Sequence, residues 1–499
     1  MDNENIKRKS ISGAKWTVLL STLALPIGYV VNVILGRISP ETLGIYALIS
    51  VVVGFSGSFL LFGGNNVVQK YLPEIEDNQK IDFILTYSII VTIISLLSIL
   101  LMLIFPQILV YVTGSETSPD NGFYYIIILI LVSIFFNLYT YMLSGLMEIK
   151  MASIINKITT YGNFPIFLFI FIFFPSYFLE NNLHIIFLSF ILFYSVGGLL
   201  AAVIVFKNVL KLKQENLTSS NIVTNFKLFL PKKFWSTSIT VHLSTVMYYF
   251  SDKLDQILIL NFFNLTQLGL YYAPLQIAIL VRFIPSSLGN VLLPTFSNFL
   301  ANNDLNSVKQ WYSKIIKYNA LITFPMAFII IFFSKYILLL FGEEYLSNYY
   351  ILVILTFLYS TGIISPLNNA IIIAKGKVQI YLLCEFLSII LGIIIAFSLI
   401  NPLGILGLAI YRGLTIFNWQ LITQEIVKRF DLQLKIDISY IIGVLISFIC
   451  ALIYLAFPYD NFFYCAFLFG ISTISFLYLS KYKKEDIKFI LTTILNRGT

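Results

Sequence analysis

The stretch GRISPETLGIYALI (36–49) separates two long apolar runs, and NFFNLTQLGLYYAP (261–274) does the same much later in the chain. Each opens the following run with Leu-Gly-aliphatic-Tyr: Leu43, Gly44, Ile45, Tyr46 and then Leu268, Gly269, Leu270, Tyr271. From Gly44 to Gly269 the offset is 225 residues. Leu35 and Leu260 share it, Leu72-Pro73 and Leu293-Pro294 stand 221 apart, and LVYVTG ending at Gly114 precedes ILLLFG ending at Gly342 by 228. Ordered landmarks at a near-constant offset mark an internal repeat. Glycine there allows close backbone approach at a tight outer turn, and tyrosine suits the headgroup level of a bilayer.

Outward from these joints the text is apolar. Of 499 residues 58% are hydrophobic and 11% charged, against about 25% charged in soluble domains. Apolar blocks of about 20 residues have the length of a bilayer-crossing helix. The class is therefore an all-α polytopic membrane protein, and a set of soluble domains is excluded for lack of polar surface. Fourteen spans are expected, at 14–35, 43–63, 81–105, 123–145, 156–179, 184–206, 234–260, 268–290, 314–341, 350–373, 378–400, 404–427, 438–457 and 462–480. Segment 291–313 reads as a loop or a surface helix. The first span follows KRKS as a signal peptide would, but it lacks a clear cleavage site and reads as retained. Six spans per half give both halves one orientation, a parallel repeat about an axis along the membrane normal. The expected organisation is a six-helix bundle over 1–210, a basic cytoplasmic linker at 211–233, a second six-helix bundle over 234–430, and two added helices with a basic tail over 431–499.

Lysine and arginine orient the chain. With the N-terminus inside, 27 of the 32 fall on cytoplasmic segments, and only Arg37 and Lys335 fall outside. This is the positive-inside pattern, with both termini cytoplasmic. The net charge of +8 follows from topology, with some attraction to anionic inner-leaflet lipid, and calls for no nucleic acid. Cys384, Cys450 and Cys465 all lie in apolar spans and read as core residues. His184 and His242 are far apart, so no metal or cofactor is expected. GSETSPDNG (114–122) lacks the Gly-Lys-Ser/Thr of a phosphate-binding loop, which argues against ATP hydrolysis by this chain.

Five stretches together, LGRISPETLGIYAL (35–48), QKYLPE (69–74), DQILILNFFNLTQLGLYYAP (255–274), LLPTFS (292–297) and LFGEEY (340–345), resemble the polysaccharide or O-antigen flippases (Wzx-type) of the multidrug/oligosaccharidyl-lipid/polysaccharide exporter superfamily. The resemblance covers essentially the whole chain. It implies two six-helix bundles around a central cleft that opens to either side in turn. It also implies movement of a lipid-linked glycan from the inner to the outer leaflet. The repeat is approximate: Phe262 stands where Arg37 does in the first half.

Six sets of residues bear on a cleft. A charge facing lipid is expensive, so intramembrane charges face a bundle interior or water. On the seventh span, about 100° per residue places Ser238, Thr245, Tyr249, Asp252, Lys253 and Gln256 within about 80° of His242. The alternatives for this stripe are a water-lined wall and an Asp–Lys pair packed between helices. Arg282 lies roughly 20 Å below the outer end of the eighth span, and its guanidinium suits a diphosphate; pairing with another group is the other reading. Arg412 on the twelfth span is a further cation. Asp252, Asp255 and Glu385 are coupling-ion or structural acids. Tyr248, Tyr249, Tyr271 and Tyr272 are candidates for stacking on sugars, and Pro26 and Pro285 for kinks.

The sequence leaves three functions open. A flippase for a polyprenyl-diphosphate-linked oligosaccharide needs cations in the cleft. A cation-coupled drug or small-molecule exporter would favour an acidic, apolar cleft. A membrane enzyme such as a glycan polymerase would carry a large outer loop, and the longest here, 106–122, has only Glu116 and Asp120 as charges. Lys253, Arg282 and Arg412 balance Asp252, Asp255 and Glu385, which favours the flippase. Its partners would be lipid-linked glycan and membrane lipid, with a polysaccharide polymerase and glycosyltransferases nearby, at the cytoplasmic membrane.

Overall fold

The structure, a computed structural model, describes residues 3–77, 79–113, 122–216, 227–430, 432–458, 461–482 and 486. Gly114, Glu116, Asp120, residues 217–226 of the linker and the lysines beyond 482 lie outside the described residues. The regular structure among the described residues is helical throughout. The chain forms two compact units, Met1–Gly269 and Leu270–Thr499.

The first unit contains α1 (Asn3–Ile38), α2 (Pro40–Phe55), α3 (Gly64–Glu74), α4 (Lys80–Ile104), α5 (Pro106–Thr113), α6 (Phe123–Gly145), α7 (Ile149–Tyr161), α8 (Phe164–Phe173), α9 (Pro175–Glu180), α10 (Asn182–Asn216) and α11 (Phe234–Phe262), then the start of α12 (Leu265–Ala301). The fifth expected span is broken into α7, α8 and α9, with Pro165 and Pro175 in the opening turns of the later pieces, where a missing N–H costs nothing. Small residues let helices close up. Gly197 faces α6 and α7: a Cβ there would meet Phe136 Cε2 at 3.1 Å and would overlap the Thr159 hydroxyl, so no larger residue fits this approach.

The repeated joint explains itself in this unit. Ser39 caps α2 by accepting from Thr42 N at 3.1 Å, with Pro40 in the first turn; this is a standard helix start. Asn264, 225 residues on, accepts from Gln267 N at 2.8 Å and starts α12 in the same way. The two helix starts cross. A Cβ on Gly44 would lie 2.8 Å from the Leu265 carbonyl carbon, and one on Gly269 would lie 2.7 Å from that of Pro40. Each glycine faces the carbonyl four residues before the other, so the contact is reciprocal. Gly44 therefore serves a helix crossing rather than a turn. Tyr271 is 0% exposed, so its ring packs against protein rather than facing lipid headgroups.

The second unit holds the rest of α12, then α13 (Leu305–Phe332), α14 (Ser334–Leu339), a 3-10 turn (Glu343–Asn348), α15 (Tyr349–Thr361), α16 (Ser365–Ala374), α17 (Val378–Lys428), α18 (Ile438–Ala456) and α19 (Phe462–Leu479). Segment 291–313 is neither loop nor surface helix. It finishes α12, turns at Asn302–Asp304 and begins α13, with Asp304 accepting from Ser307 N at 3.0 Å. Helix α17 is two arms joined at Gly404, whose φ of +57° and ψ of −134° suit only glycine. The core gathers Phe324, Phe328, Ile331, Tyr454 and Phe476. Beside it lies a buried polar network. Tyr312 donates to Asn368 Oδ1 at 2.8 Å and to Gln424 Oε1 at 3.1 Å, and Asn368 Nδ2 donates to Gln424 Oε1 at 3.1 Å. It ties α13, α16 and α17 together, since buried polar groups left unmatched would cost about 1–3 kcal/mol each.

Among the described residues, eleven helices are long and apolar enough to cross a membrane, and the chain is a multi-pass membrane protein. Fourteen spans were expected. One of the eleven is the two-armed α17, and α11 and α12, of 29 and 37 residues, are not among them. Helix α11 is also packed against α2, α3 and α5. Its polar and aromatic residues meet partners there, so it lies in the first unit, although the sequence division set 234–260 with the second half.

Candidate functional site

The first unit carries one cluster of candidate residues, on α2 and α11. Helix α2 ends in a π-helical segment, Ser56–Leu60, and such segments recur at functional sites. The chain then turns through Phe62, Gly63 and Gly64 at φ of +43°, +91° and +42°. Phe62 is strained, since a non-glycine residue in this region costs on the order of 1–3 kcal/mol. Its ring lies 5.1 Å from the His242 ring and 5.9 Å from that of Trp235. The sequence reading did not single out this stretch. The signal was Gly63-Gly64 inside an apolar run.

Against this turn runs the polar stripe of α11. Ser238 is buried where Gly63 lets the chain pass close to it, a Cβ on Gly63 lying 3.2 Å from Ser238 O. His242 is half-buried, and its Nδ1 makes no hydrogen bond among the described residues. Tyr249 donates to Val51 O at 3.2 Å and packs edge-on to Phe55 and Phe59. Lys253 donates to Ser50 Oγ at 3.3 Å and pairs with Asp252 Oδ2 at 3.4 Å. Asp255 is buried and accepts from Gln256 N at 2.9 Å, while Gln256 Oε1 is buried without a hydrogen bond among the described residues. The opposite face, with Ile239 and Leu243, is about half exposed and apolar. The stripe thus faces protein and the apolar face looks outward, as an amphipathic span requires. It is not open along its length. Ser238, Tyr249 and Gln256 are closed, whereas His242, Thr245 and Lys253 are half-open. Of the tyrosines considered for sugar stacking, Tyr271 and Tyr272 are buried with Tyr249, and only Tyr248 is exposed.

The second unit brings two arginines to one tyrosine. Arg412 Nε donates to Tyr359 OH at 3.1 Å, and the Arg282 guanidinium carbon lies 5.9 Å from the centre of the Tyr359 ring. Two glycines permit this. A Cβ on Gly413 would lie 2.5 Å from Leu358 Cβ, so α15 and the second arm of α17 touch closely. A Cβ on Gly362 would overlap Ile416 and lie 3.6 Å from Arg282 Nε. Arg412 is 7% exposed and Tyr359 is 3% exposed, while Arg282 is half-buried. Composition showed the arginines, but nothing in the sequence showed that Tyr359 joins them. Glu385 stands on the first arm of α17, half-buried, with Oε2 unbonded among the described residues. The structure shows no contact between Glu385 and either arginine. No group of three metal-ligating side chains occurs among the described residues.

Chemically, the second unit offers one guanidinium over the Tyr359 ring and a second bonded to its hydroxyl, the latter buried. This setting suits an anion with several oxygens. The first unit offers a hydroxyl, an imidazole and an ammonium along one helix face.

Three comparisons with known proteins fit this geometry. A family described as "Polysaccharide biosynthesis protein" matches residues 183–349. A Shigella flexneri protein named "Putative O-antigen transporter" is 23% identical over 402 residues, which is 79% of this chain and 91% of that protein. Among solved structures, a lipid II flippase, MurJ, in an inward closed conformation aligns with a TM-score of 0.67. It shares 15% identity over 96% of this chain and 99% of its own. An inward-facing multidrug-resistance MATE family transporter of the MOP superfamily aligns with a TM-score of 0.59, at 12% identity over 81% of this chain and 94% of its own.

Proposed function

We propose, from the premise that this chain has the fold of the multidrug/oligosaccharidyl-lipid/polysaccharide exporters and resembles their polysaccharide branch, that it flips a polyprenyl-diphosphate-linked oligosaccharide across the cytoplasmic membrane. Translocation runs from inner to outer leaflet by alternating access and serves cell-surface polysaccharide synthesis. The observation that carries this reading is the meeting of Arg282 and Arg412 at Tyr359. A diphosphate presents oxygens in the geometry that guanidinium forks match, and the ring holds the forks in place. Lys253, His242, Tyr249 and Gln256 are assigned to the glycan and its diphosphate, as a second set of contacts along α11. In this reading the chain crosses the membrane fourteen times with both termini cytoplasmic. The two sequence repeats span 1–210 and 234–430, with α11, the first helix of the second repeat, packed in the first compact unit; a 211–233 linker joins them and two helices follow within 431–499. Polymerase and glycosyltransferases act downstream and upstream.

The test is export in a deletion strain at matched protein level, read as lipid-linked glycan held on the inner leaflet. Arg282→Ala and Arg412→Ala should each block export. Arg282→Lys should keep part of it, because the charge remains and the fork is lost. Wild-type export by both Arg282 variants would remove Arg282 from the substrate path.

One observation favours a second reading, a cation-coupled exporter of drugs or small molecules. Glu385 holds a buried oxygen without a hydrogen bond among the described residues, as a proton or cation site would. Glu385→Gln should then abolish dependence on the ion gradient and leave substrate binding intact. Unchanged gradient dependence would return Glu385 to a structural role.

A further inference from the structure

At one end of the second unit, the two arms of α17 enclose a cavity of about 660 Å³. Its walls are apolar: Ile380 and Cys384 on the first arm, and Leu421, Ile422, Ile426 and Phe430 on or just beyond the second. Its mouth is charged. Lys377 caps the start of the first arm, and Arg429 closes the end of the second. The arms are antiparallel about Gly404, so both residues come to the same end, where Lys375 and Lys428 also lie. The one carboxylate among the described residues that line the slot, Glu425, is already matched. It lies 3.6 Å from Arg429 Nε and 3.8 Å from Lys428 Nζ. Lys377 has no ion pair or hydrogen bond from its ammonium among the described residues, and it is exposed. The mouth is left with a net positive charge over a greasy slot.

We infer that this slot holds an anionic phospholipid, with its phosphate at Lys377 and Arg429 and an acyl chain against the apolar walls. The volume falls within the range of about 300–1,000 Å³ that organic ligands occupy, far more than a phosphate alone fills. Basic pockets between membrane helices bind anionic headgroups. The slot is separate from the arginine pair. From Arg412 to Glu425 is 13 residues of helix, about 20 Å, so a diphosphate at Arg412 leaves Lys377 free.

The structure supplies its own reporter. Cys384 lines the slot and is half-buried, while Cys450 and Cys465 are buried. The full-length protein is placed in phosphatidylcholine nanodiscs with and without phosphatidylglycerol. Two quantities are measured: the rate of Cys384 modification by N-ethylmaleimide, and phosphatidylglycerol retained in native mass spectra. Phosphatidylglycerol should slow modification severalfold. Lys377→Glu should weaken this protection by at least about fivefold, given roughly a factor of five per basic residue near a lipid surface. Lys435→Glu makes the same charge change away from the slot and should leave protection unchanged. Retention of phosphatidylglycerol unaffected by Lys377→Glu overturns the assignment, whether or not Cys384 proves reactive. Equal protection by a polyprenyl phosphate in pure phosphatidylcholine overturns it in favour of the isoprenoid.

Discussion

Placing a methyl group on Gly44 tests whether the repeated joint is a backbone crossing. The Cβ of Gly44→Ala would lie 2.8 Å from the Leu265 carbonyl carbon and 3.3 Å from Gly269 N, and it would overlap the Leu265 oxygen. Non-bonded carbons rest about 3.5–4.0 Å apart, so α2 and the start of α12 must separate by on the order of 1 Å. The obstructing atoms are backbone, so no side-chain rotation relieves them. Overpacking of this kind costs about 1–3 kcal/mol. Helix propensity acts the other way, favouring Ala over Gly by roughly 0.5–1 kcal/mol inside a helix. Net destabilisation of about 1–2 kcal/mol is expected for Gly44→Ala, and the same for Gly269→Ala. Gly470→Ala is the control: its Cβ would meet nothing within 4 Å, so propensity alone acts and stability should hold or rise. The double variant should cost less than the sum of the single ones, because the first methyl opens the space that the second needs. The assay is reversible denaturation of the purified protein in detergent micelles. A Gly44→Ala protein as stable as wild type, or single costs that add to within about 0.5 kcal/mol, would refute the crossing.

Two further outcomes follow from the same geometry. In a background free of native cysteines, Cys at 242 and 245 should react with a water-soluble thiol reagent. Cys at 239 and 243 should stay unreactive although those positions are exposed, because lipid rather than water covers them; labelling all round the helix would remove α11 from the transport path. Asp304 is held below the usual carboxylate range by hydrogen bonds from the Ser307 side chain and backbone. Its cap is therefore fully present above pH ~4 and is lost as pH falls through its lowered value. Amide exchange of the first turn of α13 should accelerate only in acid, and Asp304→Ala should make that turn exchange fast at neutral pH as well.

Hydrophobic length and charge bias made much of the fold legible, because a bilayer constrains both. The starts of α4, α6 and α11 at Lys80, Phe123 and Phe234 fall within one residue of expectation. Breaks inside spans were harder to read. Helices α7, α8 and α9 merge into one apolar block in the text, and the interruption at Gly362–Ile364 between α15 and α16 is apolar too. A membrane sequence need not become polar where a helix breaks inside the protein. The site was half legible. Arg282, Arg412 and Lys253 stand out as charges in apolar runs. Tyr359 does not, since the sequence holds 31 tyrosines and only the close approach at Gly413 and Gly362 selects this one. The burial of Ser238 and Gln256 was illegible for a related reason. Angular position on a helix tells which way a side chain points, but not whether the neighbour there is water or α2.

The slip in the repeat offset locates where the two halves diverge. From Gly44 to Gly269 it is 225, and from Leu72 to Leu293 it is 221, so the first half carries four more residues between its glycine and its Leu-Pro. Helix α12 runs through the whole equivalent stretch, from Leu265 to Ala301. In the first half the same stretch is interrupted, by the π-helical Ser56–Leu60 and then by Phe62, Gly63 and Gly64 at positive φ. The extra residues are absorbed there, for a continuous helix has no room for them without rotating every later side chain by about 40°. At the offset of the joint, Arg282 corresponds to Gly57 within that π-helical segment. Thirteen residues past a crossing that both halves share, or more than three turns of helix, the first half spends its divergence on backbone, and the second spends it on a guanidinium. The crossing needs the same atoms from both partners, since each glycine must clear the other's carbonyl, and so its residues repeat. Among the described residues no such reciprocal contact ties Gly57 to Arg282, and so the residues there are free to differ.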